Sequence, residues 1–187
     1  MTQLRALTLG LTVFLLAALP AGAADNEYTR EDSYLGIGGV YALENASENW
    51  AGTDDAGGLD FTIGYRMVPQ MSWELGGSWL HDFTFQTGEE IDVGTVTIAV
   101  KLYLVELFDR ALLGGRLQPY AIANGGMMVG TIGGNGKIGG TFGGGLGTEY
   151  YVTPNWVINA NVQYYANKGP FDDLQYAGFM LGAMYRF

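Results

Sequence analysis

The chain contains no cysteine, so neither a disulfide framework nor a thiolate metal site is available to it. Basic residues are scarce, with nine Lys and Arg against 19 Asp and Glu, a formal net charge of −10. That balance argues against nucleic-acid binding, which needs clustered Lys and Arg to replace counterions. Long apolar runs are also missing. After the first two dozen residues nothing approaches the roughly 18 consecutive apolar residues of a membrane-spanning helix, and no helical period is sustained. Charged residues make up only 15% of the chain and glycine is frequent at 30 residues, yet aromatics at 13% and many β-branched residues place it well away from disorder.

What is present begins with a secretory pattern. One basic residue, Arg5, precedes a mostly apolar run from Ala6 to Leu19 and then Pro20-Ala21-Gly22-Ala23-Ala24. Ala21-Gly22-Ala23 fits a small-x-small cleavage site, which predicts a signal peptide over residues 1–23 and one mature domain over 24–187. A secreted domain without disulfides must find its stability elsewhere, and a closed sheet solvated by lipid is one solution.

Period-two alternation recurs along the mature chain in segments of about ten residues, the length a tilted strand needs to cross a bilayer. The first segment lies near Tyr34 to Leu43. The second is the clearest: Leu59, Phe61, Ile63, Tyr65 and Met67 alternate with Asp60, Thr62, Gly64 and Arg66. The third sets Trp73, Leu75, Gly77 and Trp79 against Ser72, Glu74, Gly76 and Ser78, and the fourth sets Val96, Ile98, Val100 and Leu102 against Thr97, Ala99, Lys101 and Tyr103. The fifth, Gln118 to about Met128, has Ala, Gly and Met on both faces and does not declare an orientation. The sixth places Phe142, Leu146 and Tyr150 opposite Gly143, Gly145, Gly147 and Glu149. The seventh alternates Ile158, Ala160, Val162 and Tyr164 with Asn159, Asn161 and Gln163. The eighth ends the chain on Tyr185-Arg186-Phe187. The fold class predicted is an all-β, eight-stranded antiparallel up-and-down transmembrane barrel.

Connections and aromatics agree with that reading. Pro69 and Pro154 mark short turns on one side, whereas 44–56, 81–92, 130–140 and 167–173 read as longer loops on the other. An even strand number then leaves both termini on the short-turn side. Tyr65, Trp73, Tyr120, Tyr150, Trp156, Tyr185 and Phe187 map to that side, and Tyr41, Trp79, Phe142, Tyr164 and Phe179 to the loop side. Two aromatic belts with aliphatics between them suit the two lipid–water interfaces; a soluble β-sandwich has no reason to sort aromatics by height. On the opposite, inward face stand Arg66, Glu74, Lys101, Glu149 and Arg186. Eight strands leave an interior that side chains can fill, and an unpaired charge there is costly. These five are therefore expected to form an ionic network plugging the lumen, with an ion or proton path as the functional alternative. Arg66 and Glu74 flank the Pro69 turn and are expected to be near neighbours.

Gly64-Tyr65-Arg66 before the Pro69 turn, Gln118-Pro119-Tyr120 opening a strand, Thr153-Pro154-Asn155 in a turn and the terminal Tyr185-Arg186-Phe187 carry a resemblance over the mature chain. It resembles the small eight-stranded outer-membrane barrels, the OmpA transmembrane-domain, OmpX and Opa-like group often labelled porin-family proteins. The resemblance implies the outer membrane of a Gram-negative bacterium, outer-membrane lipids and lipopolysaccharide as surroundings, and the barrel-assembly machinery as partner during insertion. Gly182, Tyr185 and Phe187 are similar to the C-terminal signal which that machinery reads, although Met180 stands where a polar residue is usual.

Candidate chemistry is thin. Some barrels of this size modify lipid A, but the only histidine, His81, is followed by Asp82-Phe83 rather than the His-x-Ser of lipid A deacylases, and it reads as a solvated loop residue. Gly133-Gly134-Asn135-Gly136-Lys137 misses the phosphate-loop spacing and has Ile138 where Ser or Thr is required; it reads as a loop tip. Asp54-Asp55, Glu89-Glu90-Asp92 and Asp172-Asp173 lack calcium-site spacing and read as solvated loop charge. The expectation is a monomeric, non-enzymatic surface barrel without cofactor or metal. The alternatives are OmpW-like passage of small or hydrophobic molecules and lipid A modification.

Overall fold

The structure, a computed structural model, describes residues 27–44, 55–84, 90–104, 112–132, 135–172 and 174–187. The signal peptide expected over residues 1–23 lies outside them, as do Asp54, Glu89, Gly133, Gly134 and Asp173 from the loop motifs. Eight strands follow in chain order: β1 Asp32–Glu44, β2 Ala56–Val68, β3 Met71–Thr84, β4 Glu90–Tyr103, β5 Leu117–Ile132, β6 Asn135–Tyr151, β7 Trp156–Lys168 and β8 Gln175–Arg186. Each pairs antiparallel with the next, and β8 pairs with β1, which closes the barrel. Closure removes both sheet edges and satisfies the backbone between strands, which a sheet in lipid requires. Both ends of the described chain emerge at one rim, here the lower end.

Parity decides which way each side chain faces. Outward positions on β1 to β4 carry Leu35, Ile37, Leu59, Phe61, Ile63, Leu75, Val96 and Ile98, all exposed, Ile98 to 65%. Apolar surface on this scale is not tolerated by a water-solvated monomer, whereas lipid solvates it at no cost. Exposed aromatics rim this surface. Tyr65, Trp73, Tyr150, Trp156, Tyr185 and Phe187 stand at the lower end, with Tyr41, Trp79, Phe142, Tyr164 and Phe179 towards the upper end. Trp156, Tyr185 and Phe187 form a ladder of edge contacts, with ring centroids 5.0 and 5.3 Å apart.

Three expectations from the sequence need correction, and one open orientation is fixed. Tyr120 is at the lower end but faces inward, fully buried, so it does not belong to the lower belt. Gln118, Tyr120, Ile122 and Met128 of β5 are all buried, while Met127 and Val129 are exposed, which fixes the orientation that the sequence left open. Residues 130–140 are not a loop: β5 and β6 stay paired up to Ile132↔Asn135, so only residues 133 and 134 separate them. Glycine weakens a strand but does not interrupt a ladder made of backbone bonds, and outward Val129 and Ile138 pair directly across it. His81 is exposed, but it lies within β3, which runs on to Thr84 past a register shift between Leu80 and Phe83.

Candidate functional site: a lumen filled in three layers

The lowest layer is ionic. Lys101 of β4 sits between two carboxylates, its Nζ 2.6 Å from Glu74 Oε1 of β3 and 3.1 Å from Glu149 Oε1 of β6. Tyr34 donates to Glu74 (2.7 Å), while Tyr103 and Tyr151 each donate to Glu149 (3.0 Å). Tyrosine suits this place because its ring fills the narrow lumen while its hydroxyl satisfies a carboxylate lone pair. The space for such rings comes from glycine on the facing strands: a Cβ at Gly147 would lie 2.4 Å from the Tyr120 ring.

Arg66 of β2 and Glu74 of β3 are diagonal cross-strand neighbours but form no ion pair. Register sets Arg66 opposite Ser72 and Glu74 opposite Gly64; Lys101, opposite Ser72 from the other side, is the cation that reaches Glu74. The Arg66 guanidinium instead donates to Gln118 Oε1 (2.6 Å), to the Tyr151 hydroxyl (3.2 Å) and to the Pro69 carbonyl, and it stacks 3.8 Å from the Tyr103 ring centroid. Arg186 of β8 pairs with Asp32 of β1 at 2.9 Å across the closing seam, and Arg30 reaches the same carboxylate at 2.8 Å.

One backbone carbonyl ties these groups together. The Tyr28 carbonyl accepts from Arg186 (3.0 Å), Gln118 (3.0 Å) and Arg66 (3.3 Å), and the Tyr28 ring meets Tyr151 edge-on at 5.5 Å. The segment before β1 thus folds across the lower mouth. The structure brings all five residues expected in the lumen into this layer, each 5% exposed or less. Asp32, Gln118, Tyr28 and the inward tyrosines were not anticipated as members. The parity of Tyr34 and Tyr103 along their strands was a usable signal; Tyr28 precedes any strand and offered none.

The middle layer is polar and incompletely filled. A cavity of about 30 Å³ is bordered by Asp60, Thr62, Asn124, Asn159, Asn161 and Gln163 among others, and a second of about 20 Å³ shares Asp60, Thr62 and Asn159 with it. Asn124 donates to Gln163 (2.5 Å), Gln163 to Asn161 (2.9 Å) and Tyr120 to Asn159 (2.7 Å). The upper layer is apolar: Leu80, Phe83, Ile91, Val93 and Met128 pack with Tyr165 and Tyr176, whose rings stack at 4.8 Å. Phe171 and Leu174, from the connection between β7 and β8, are fully buried in this cluster and close it from above. Asn167 holds that connection by donating to the Leu174 carbonyl (2.5 Å).

Among the described residues there is no hydrolytic constellation around His81. Its Nδ1 lies 2.8 Å from Asp92 Oδ1 on the outer surface, both side chains about half exposed. Ser78 lies on the other face of β3, hydrogen-bonded at 2.6 Å to Thr95 inside the barrel. Asn135, Gly136 and Lys137 are exposed and open β6, directly after residues 133 and 134. Of the acidic clusters, Asp55 accepts from Tyr41 (2.5 Å) and Asp172 is exposed. Among the described residues no group of three or more His, Cys, Asp or Glu side chains is placed to hold a metal ion.

A closed eight-stranded sheet with an apolar, aromatic-rimmed exterior and a polar, ionic interior defines a transmembrane β-barrel. Residues 10–187 match the outer membrane protein beta-barrel domain, and the chain belongs to that family. Solved structures similar to it include Neisserial surface protein A (TM-score 0.65, 16% identity, 83% of this chain and 97% of that one). OprG from Pseudomonas aeruginosa is also similar (TM-score 0.60, 14% identity, 87% and 99%), as is Ail, the attachment invasion locus protein of Yersinia pestis (TM-score 0.54, 19% identity, 84% and 99%). At these identities the likeness is one of fold. No curated protein sequence matches the chain.

Proposed function

We propose that this protein is a non-catalytic surface barrel of a Gram-negative outer membrane, sealed along its lumen, which presents acidic loops to envelope lipids, lipopolysaccharide or external partners. The observation carrying this reading is the double seal: the ionic layer around Lys101 below and the apolar layer around Phe171 above, both fully buried. Side chains this deeply buried at both levels support a lumen closed to a continuous aqueous path. Opposite-facing Ser78 and exposed His81 support the absence of a Ser–His hydrolase. The signal peptide over residues 1–23 would direct export, with a monomer inserted by the barrel-assembly machinery reading Gly182, Tyr185 and Phe187. In support, Tyr185 and Phe187 face outward where a receptor has access. A Cβ at Gly182 would meet the Ile37 carbonyl oxygen at 2.6 Å, so the β8–β1 seam closes tightly only over glycine.

Cell fractionation tests the placement: a heat-modifiable band in the outer-membrane fraction is expected, and a soluble periplasmic monomer refutes it. Mass spectrometry of lipid A with and without the gene tests the absence of catalysis. An unchanged profile is expected, and a change lost on His81→Ala overturns the reading. One observation favours a second reading, OmpW-like passage of hydrophobic molecules. The upper seal is contributed by a connection rather than the barrel wall, so withdrawal of Phe171 and Leu174 would expose an apolar cup. Swelling of proteoliposomes in small sugars tests the sealed state, and none is expected.

A further inference from the structure

Charge matching among the buried side chains, with the part-exposed Arg30 at the lower mouth set aside, leaves one carboxylate over. The deeply buried cations Arg66, Lys101 and Arg186 are equalled in number by the deeply buried acids Asp32, Glu74 and Glu149. Asp60 is a fourth lumenal acid, one layer higher. Among the described residues no Lys, Arg or His is within ion-pair distance of it, and its one hydrogen bond comes from Thr62 Oγ1 at 3.3 Å. Asp60 is part-buried rather than sealed off, but a carboxylate in a narrow lumen without a counter-charge is still disfavoured.

Space and donors accompany this deficit. Both middle-layer cavities border Asp60, and at about 30 and 20 Å³ each exceeds the roughly 10–15 Å³ that one water needs. Their polar lining is rich in oxygen: besides Asp60 it offers the Thr62 and Thr97 hydroxyls and the side-chain amides of Asn124, Asn159 and Asn161. Asn124 Oδ1 is out of contact with solvent and has no hydrogen-bond partner. Glu74 also borders the larger cavity, but its Oε1 is engaged by Lys101 and Tyr34.

We propose that the middle layer binds one small monovalent cation of the size of Na⁺, held by the Asp60 carboxylate and neutral oxygens that include Asn124 Oδ1. Hard oxygen donors suit such an ion. Its valence follows from the deficit: a single charge neutralises Asp60, whereas a divalent ion would leave an excess positive charge near Lys101.

The test is reversible denaturant unfolding of the whole barrel in detergent, with Na⁺ exchanged for choline at constant ionic strength. Choline is too large for the cavity. For one bound ion the unfolding constant falls tenfold for each tenfold rise in Na⁺ above its dissociation constant, and Asp60→Asn, which preserves shape, abolishes that slope. Equal stability in Na⁺ and choline overturns the proposal, as does a slope that survives in Asp60→Asn; a proton in place of the cation gives the former result. Should Asp60→Asn not fold, Asn124→Ala decides: a tenfold or greater increase in the Na⁺ needed supports the site, and an unchanged requirement overturns it.

Discussion

Lys101→Met measures what the ionic layer contributes. Lys101 is 1% exposed and joins Glu74 at 2.6 Å to Glu149 at 3.1 Å, while its Nζ lies 4.5 Å from the Tyr120 ring centroid. Methionine keeps most of the volume and removes the charge, leaving two buried carboxylates with only neutral protein donors at hydrogen-bond distance. Breaking a buried pair from one side costs about 3–5 kcal/mol. That is a rise of roughly 150- to 4,000-fold in the unfolding constant, since about 1.4 kcal/mol is tenfold. The assay is equilibrium unfolding in detergent or lipid vesicles, followed by tryptophan fluorescence and by heat-modifiable migration. The triple variant Lys101→Met, Glu74→Gln, Glu149→Gln removes the stranded charges and is expected to recover most of the loss, because the three residues act as one unit. A single-variant cost below about 1 kcal/mol, the range of exposed pairs, would refute the reasoning. So would a triple variant as unstable as the sum of its parts.

Phe171→Ala is expected to cost about 3–5 kcal/mol in the same assay, because it empties a fully buried aromatic site, and yet to leave the barrel electrically silent, since the lower seal is untouched. Gly145→Ala places a methyl 1.9 Å from the Val162 carbonyl oxygen and is expected to abolish the heat-modifiable form. Gly57→Ala, with nothing within 4 Å of the added carbon, is expected to fold normally. His81→Ala is expected to change stability by less than about 1 kcal/mol, because its pairing with Asp92 is about half exposed on both sides.

How much of this was legible in the chain depends on the residues occupying each face. In β2, Asp60, Thr62 and Arg66 alternate with Leu59, Phe61, Ile63 and Tyr65, and polarity alone orients the strand. In β5 the outward positions hold Ala121, Ala123 and Gly125, and contrast vanishes. Gln118 and Asn124 share a parity and would have oriented β5, but Tyr120 was drawn into the aromatic belt by height without regard to face. The glycines around Lys137 suggested a loop because propensity counts side chains, while the ladder from Val129 to Ile132 is held by backbone pairing with β6. The five lumenal charges could be named from parity, but not their partners. Register places Arg66 and Lys101 alike, both opposite Ser72 and diagonal to Glu74, so parity and register together leave the choice open; Glu74 takes Lys101, while Arg66 turns to Gln118, Tyr151 and backbone carbonyls. Tyr28 and Phe171, which close the two mouths, lie outside the strands and follow no period.

The proposed function has the lumen closed twice, by charge below and by apolar packing above. Single-channel recording of the purified barrel in planar bilayers tests it most directly. The wild-type protein is expected to insert without steady conductance, and conductance is expected only when Phe171→Ala is combined with removal of lower-layer side chains such as Tyr151 and Arg66. Steady openings of the wild-type protein would contradict the account.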